Sequence, residues 1–431
     1  MTTVEDATEA TPPAVVKPPL WTTVREHWAL ALMLVCAAMA GPVGYAGQLG
    51  YAAVIGVAGI ASLPMLGVKR QPILEVGIGL LLAMWCVASQ AWTIDRHPID
   101  FHRYKSIESM TAIKLVLEVG VFGAFLFLMR ELPGKWAGRI LATLAVSLLF
   151  CAVLMSIDAI TDCSIYRALR LSAHAADKPE IIRRNAARGA YTLALLFWPA
   201  VLWMQRARWY LPLIVFVLAF FVSAIAFRVD APIVAVVLGG VALFAVRRFG
   251  RSMVWVLLAG TVIYLALEPT VFDVFGRYLP NLHGGDGVAK ESWGVRIHLW
   301  RMLSQMIGQR PFLGWGIDAS RVIQGVPMHP HSASMQLWLE LGAVGAGLGV
   351  LFWTALWSRI AGLVEAPSGQ AEVAAAVAVG YLAIGALSFG AWQEWWIALG
   401  VFAAVVCMVF GQAFPDWADP ADRVEELTPI G

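Results

Sequence analysis

Residues 206–230 read Arg-Ala-Arg-Trp-Tyr-Leu-Pro-Leu-Ile-Val-Phe-Val-Leu-Ala-Phe-Phe-Val-Ser-Ala-Ile-Ala-Phe-Arg-Val-Asp. No charge falls between Arg208 and Arg228, and the run approaches the roughly 20 apolar residues that a helix needs to cross the hydrocarbon core of a bilayer. Arginines sit where both ends would meet water. This stretch reads as a membrane helix, and the pattern repeats along the chain. Of 431 residues, 59% are hydrophobic and 14% charged, against roughly a quarter charged in a soluble domain. One buried core cannot absorb that excess, because single cores stop growing at about 250–300 residues. Lipid must be the solvent for most of the surface.

Twelve stretches have suitable length and composition, near 28–46, 48–68, 72–93, 111–129, 139–157, 188–205, 209–227, 231–246, 253–270, 333–356, 372–390 and 396–414. The expected fold is therefore all-α and integral to the membrane, with about twelve transmembrane helices. Short-loop cations orient it. Lys69 with Arg70, the group Arg130, Lys135 and Arg139, the pair Arg206 and Arg208, and the group Arg247, Arg248 and Arg251 all fall on one side. That side is cytoplasmic if the amino terminus is inside. Residues 1–26 then read as a disordered cytoplasmic tail rather than a signal peptide. Residues 27–414 form a single transmembrane domain, and 415–431 an acidic cytoplasmic tail.

Three polar segments face outward: 94–110, 158–187 and 271–332. The last, between spans nine and ten, is long enough to expect function in it. Trp293, Ile297 and Trp300 recur at helical spacing, which predicts an amphipathic helix on the membrane surface. The five cysteines are Cys36, Cys86, Cys151, Cys163 and Cys407. They form no disulfide framework or metal motif. With no phosphate-binding loop, dinucleotide fingerprint, zinc pattern or Asp-x-Asp motif, no cofactor and no metal are expected. Mid-span charges are few: Glu75, and Lys114 with Glu118 at a spacing that suits a self-paired couple.

Chemistry must then come from the outer segments, which are unexpectedly rich in arginine. Residues 158–187 hold Arg167, Arg170, Lys178, Arg183 and Arg184, and Arg188 follows. Residues 271–332 hold Arg277, Lys290, Arg296, Arg301, Arg310 and Arg321. Guanidinium groups bind phosphate oxygens in pairs, so an arginine cluster at bilayer level suggests a lipid-linked phosphate or pyrophosphate. Taken singly, most of these arginines more commonly serve head groups or local carboxylates.

Histidine supplies what arginine cannot, a proton acceptor near neutral pH. Residues 329–345 read His-Pro-His-Ser-Ala-Ser-Met-Gln-Leu-Trp-Leu-Glu-Leu-Gly-Ala-Val-Gly. His331 lies at the expected outer mouth of the tenth span, with His329 as its rival. Glycines 342, 345, 347 and 349 would let that span approach a neighbour closely and so fix His331.

Together these features resemble the O-antigen ligases, within the larger group that includes O-antigen polymerases and protein O-oligosaccharyltransferases. The ligase pattern appears as His331, Ser332, nine residues, Gly342, two residues and Gly345. The outer loop is similar too, with Ser292-Trp-Gly-Val-Arg296-Ile-His-Leu-Trp300 and then Arg310-Pro-Phe-Leu-Gly314-Trp-Gly316. Arg228 stands where the family has an arginine at the outer end of a span, and Asn185-Ala-Ala-Arg188-Gly189 resembles the start of an earlier one. The resemblance is good over residues 185–350.

Membership would imply a GT-C type glycosyltransferase of the bacterial inner membrane, its active site facing the periplasm. The donor would be O-antigen polysaccharide on undecaprenyl pyrophosphate, and the acceptor lipid A-core, in lipopolysaccharide biosynthesis. Transfer would be metal-independent and inverting. His331 would act as general base, and Arg228 and Arg296 would hold the pyrophosphate, with Arg188, Arg184 and Asn185 as further donor-binding residues. Membrane lipids are expected partners and nucleic acid is not. An O-antigen polymerase or a protein O-oligosaccharyltransferase would differ only in acceptor. A transporter of polyprenyl-linked glycan is the more distant alternative, and it would favour interrupted, polar spans.

Overall fold

A computed structural model describes residues 20–67, 73–95, 110–169, 178–278, 291–326, 329–366 and 368–414, with backbone alone for 275–278 and 291–293. Residues 1–19, the tail 415–431, Lys69, Arg70, Arg170, Lys290 and the side chains of Arg277, Ser292 and Trp293 lie outside that description, whereas residues 20–26, expected in the disordered tail, are helical and open the first helix.

The described residues are helical, with no strand among them. The helices are α1 (Leu20–Ala46), α2 (Gly50–Ser62), α3 (Leu74–Ser89), α4 (Thr111–Met129), α5 (Ala137–Ile160), α6 (Ser164–Ala168), α7 (Pro179–Ala186), α8 (Gly189–Leu195) and α9 (Phe197–Arg206). They continue as α10 (Tyr210–Ala226), α11 (Asp230–Phe249), α12 (Arg251–Tyr278), α13 (Glu291–Gln309), α14 (Ala319–Val322), α15 (Ala333–Leu363), α16 (Gln370–Leu387) and α17 (Glu394–Ala413). Among the described residues, eight helical segments have the length and apolarity to cross a bilayer. The chain is thus an α-helical, multi-pass membrane protein. The apolar stretches read from the sequence recur as helices, but α2, α3 and α10 are shorter than a full span. The sixth stretch is divided into α8 and α9 at Leu196.

The quoted stretch becomes α10, and arginine ends the helix at each of its borders. Arg208 and Arg228 take left-handed backbone at φ 60° and 59°. Trp209 N–H donates to Met204 O at 2.8 Å, and Val229 N–H to Ala224 O at 3.0 Å. These bonds close the last turns of α9 and α10 and turn the chain back at each border.

The core lies where α1 runs along α5, α10 packs on α5 and α17 joins α2 and α4. Ser147 Oγ stitches α5 to α1, donating to Ala38 O at 2.7 Å and accepting from Gly41 N–H at 2.8 Å. A second group pairs α11 with α16 and α12 with α15. Glu75 does not stand alone: both its oxygens accept from Arg359, at 2.6 and 2.7 Å. Lys114 donates to Glu394 at 3.1 Å, so it reaches across to α17 rather than serving Glu118 alone. Cys163, which lies in the polar segment 158–187, is buried immediately before α6.

The tenth span is broken. Gly342 sits at φ 64°, ψ −159° inside α15, and the segment after α13 lies against the break. Trp315 N–H donates to Leu339 O and Gly316 N–H to Glu340 O, both at 2.8 Å. Ala343 N–H returns a bond to Pro311 O at 2.8 Å. Backbone freed by the break is thereby satisfied by protein, as a membrane requires. A Cβ at Gly342 would meet the Phe312 carbonyl, and one at Gly314 would meet the backbone of Glu340 and Gly342. Helix-to-helix approach was the expected use of the glycines in α15. Instead Gly342 receives a loop, and nothing lies within 4 Å of where a Cβ on Gly347 would stand.

Candidate functional site

His331 precedes α15 and is held from three sides. Ser332 caps the helix, its Oγ accepting from Met335 N–H at 3.3 Å. The same hydroxyl donates to Glu268 of α12, 2.9 and 3.1 Å from the two carboxylate oxygens. His331 takes left-handed backbone at φ 57°. Its Nδ1 lies 3.1 Å from Ser388 O, just past the end of α16. A carbonyl only accepts, so Nδ1 carries the proton and Nε2 keeps its lone pair. The His331 main-chain N–H donates to His329 Nδ1 at 3.1 Å, and the two rings meet edge to face with centroids 4.5 Å apart.

Burial pushes the His331 pKa down. The Ser388 carbonyl opposes this and the Arg296 charge adds to it, and the net direction is downward. Burial, then His331, then Arg296 push His329 to about 4. Both rings are neutral at pH 7.

Arg296 comes from α13 and meets the same helix end, its Nη1 donating to Leu387 O at 2.7 Å. The expected helix in the outer loop is present. Trp300, one of its periodic residues, is buried rather than spread on a membrane surface, and its Nε1 donates to Pro330 O at 2.8 Å. Trp300 thereby clamps α13 to the turn that carries His331.

Tyr191 of α8 extends the group toward the other arginines. Its hydroxyl donates to Ser388 Oγ at 3.4 Å, and its ring lies 4.6 Å from that of Phe389. It is within electrostatic reach of Arg296, Arg188 and Asp230, and Arg188 in turn feels Arg184. Arg184 and Arg188 form no ion pair with a described residue. Asn185 is half-buried on α7, and its backbone O accepts from Arg188 N–H at 3.2 Å. Arg228 is exposed at the α10–α11 turn. No hydrogen bond or ion pair joins it to His331 or Arg296. Arg183 ties α7 to this turn, donating to Ala226 O at 2.5 Å and lying over Phe227 at 5.5 Å.

The structure therefore brings His331 and Arg296 together, links Arg188 and Arg184 to them through Tyr191, and leaves Arg228 at a neighbouring turn. The arrangement offers a neutral imidazole with a free nitrogen beside the Arg296 cation, which Leu387 O holds in place. That suits proton removal next to a bound anion. Among the described residues no group of His, Cys, Asp and Glu could hold a metal ion.

Several site residues have no motif of their own. Tyr191, Ser388 and Leu387 enter through main chain or a lone hydroxyl. Glu268 and Glu340 lie within the apolar stretches 253–270 and 333–356, where any carboxylate is a signal in itself, so they belong with Glu75 and Glu118 among the in-span charges. Glu340 is fully buried and accepts from Asp318 N–H, Ser320 N–H, Ser320 Oγ, Gln336 Nε2 and Trp392 Nε1. Glu394 is spent on Lys114.

A helical membrane protein with a basic, histidine-bearing cluster at the helix ends is the class that fold and site define. Residues 214–350 match a family model described as O-antigen ligase, so the resemblance read from the sequence stands over that stretch. A Rickettsia conorii protein is 22% identical over 78% of this chain and 79% of its own length. A Rickettsia felis protein is 24% identical over 51% and 56% of the two chains, and one from Rickettsia prowazekii 25% over 39% and 44%. All three bear the name "Putative polysaccharide ligase". These similarities support an O-antigen ligase-type protein.

Proposed function

We propose that this protein joins O-antigen polysaccharide, carried on undecaprenyl pyrophosphate, to lipid A-core at the outer face of the bacterial inner membrane. The observation that carries the reading is the hydrogen bond from His331 Nδ1 to Ser388 O. It spends one ring nitrogen on orientation and leaves Nε2 as a base beside Arg296. A hydroxyl of the acceptor attacks the anomeric carbon of the donor, and its proton passes to Nε2. The bond from that carbon to the pyrophosphate oxygen breaks, with its electron pair leaving on the pyrophosphate. A single displacement inverts the configuration. Arg296, Arg228, Arg188 and Arg184, with Asn185, hold the growing negative charge. The guanidinium groups supply the charge that a metal would otherwise bring.

The test uses purified protein with undecaprenyl-pyrophosphate glycan and lipid A-core in EDTA. Glycosylated lipid A-core is the expected product. Longer lipid-linked glycan in its place would move the protein to the polymerases, and glycosylated protein to the oligosaccharyltransferases.

A further inference from the structure

His331 is a non-glycine residue in left-handed backbone, a conformation that costs roughly 1–2 kcal/mol. Something must hold it there, because that backbone directs the ring to Ser388 O. The bond to the His331 main-chain N–H comes from the side chain two residues earlier, His329 Nδ1 at 3.1 Å. Side chains of Asn and Asp make the same bond to the amide two residues on, and so stabilise tight turns. His329 is itself fixed. Its ring abuts His331, and its Cβ lies against Gly390, where an added Cβ would stand 3.0 Å away.

We propose that His329 is a positioning residue, whose unprotonated Nδ1 accepts the His331 amide and so sets the His331 ring for proton removal. This rests on the reading of His331 as base. A protonated His329 could not accept that bond. Burial, the facing His331 and the Arg296 charge keep its pKa near 4, so it is an acceptor at neutral pH. The ring contact and the amide bond are separable by substitution. His329→Asn keeps an acceptor and discards the ring. His329→Phe keeps an aromatic ring and discards the acceptor.

The full-length protein and both variants are compared, with His331→Ala as reference. Glycan transfer is followed against donor concentration. In parallel, diethyl pyrocarbonate labelling of residue 331 is followed by mass spectrometry, which needs no turnover. His329→Asn should transfer within about threefold of wild type and label residue 331 at the wild-type rate, the rescue expected of a side-chain acceptor. His329→Phe should lose at least about tenfold in kcat with KM for donor little changed, and its labelling rate should depart from wild type. Full activity in His329→Phe would overturn the proposal. So would a His329→Asn as inactive as His331→Ala, which would make His329 a base itself. If wild type makes no product but labelling separates Asn from Phe as stated, the positioning stands and the transferase reading falls. Equal labelling in all three would overturn the positioning.

Discussion

Arg296 and His331 are fastened to consecutive carbonyls of one helix end: Arg296 Nη1 to Leu387 O at 2.7 Å, and His331 Nδ1 to Ser388 O at 3.1 Å. They come from different elements, α13 and the turn before α15. A shared anchor on α16 means that the cation and the base keep their spacing even if either parent element shifts.

The imidazole is the proposed proton acceptor, so His331→Ala should lower kcat by about 10²–10⁴-fold, the range that general-base help supplies. Helical content and thermal midpoint should stay near wild type, because Ser332 still caps α15. Circular dichroism alongside the transfer assay checks both. Near-full activity would remove His331 from the chemistry.

The pH profile has a definite sign. The proposed mechanism requires neutral His331, and burial together with Arg296 disfavours its charged form. The acid limb of kcat/KM should therefore lie below the ordinary histidine value of about 6.5. Stability follows the same direction. Both histidines bind protons less readily folded than unfolded, so stability is intact above about 6.5 and falls as pH drops through that value toward 4. Melting curves across pH 4–8, on wild type and His329→Asn, test this. The variant should lose less stability over that window.

Arg228→Lys replaces a two-pronged donor by a point charge. If Arg228 holds the pyrophosphate, the variant should bind donor roughly ten- to a hundredfold more weakly, the equivalent of one charged hydrogen bond at ~1.5–3 kcal/mol. Titration with the lipid-linked donor measures it. Unchanged affinity would release Arg228 from that role.

Two glycines of one helix should respond oppositely to alanine. Gly342→Ala forces a side chain into left-handed backbone against the Phe312 carbonyl, and should cost at least about 1–2 kcal/mol. Gly347→Ala meets open space, and should gain about 0.5–1 kcal/mol as a better helix former. Thermal midpoints in detergent distinguish them. A destabilised Gly347→Ala would reinstate close helix approach at that position.

Membrane class and most helix positions were legible because they depend on composition; a common site for His331 and Arg296 was implied only by the family resemblance, since no local motif spans the two. The break at Gly342 was not legible. A glycine in an apolar run looks the same whether it serves a helix contact or a left-handed kink, and the loop strand beside it is distant in sequence. Lys114 shows the same limit: Glu118, four residues on, is visible in sequence, whereas Glu394 becomes its neighbour only after folding. Tyr191 and the Leu387 and Ser388 carbonyls carry no sequence signature, since main-chain acceptors exist at every position. Arg228 was singled out by its place at a span end, and its left-handed φ belongs to the turn that closes α10 there.

Glu340 has a consequence for motion. Two loop amides, the Ser320 hydroxyl, an amide side chain and an indole all converge on one carboxylate inside the bundle. Lifting the 311–320 segment away would strip donors from that buried group, at a cost of several kcal/mol. That segment is therefore a fixed wall against the break in α15, and any movement of the chain around His331 must come from elements other than this one.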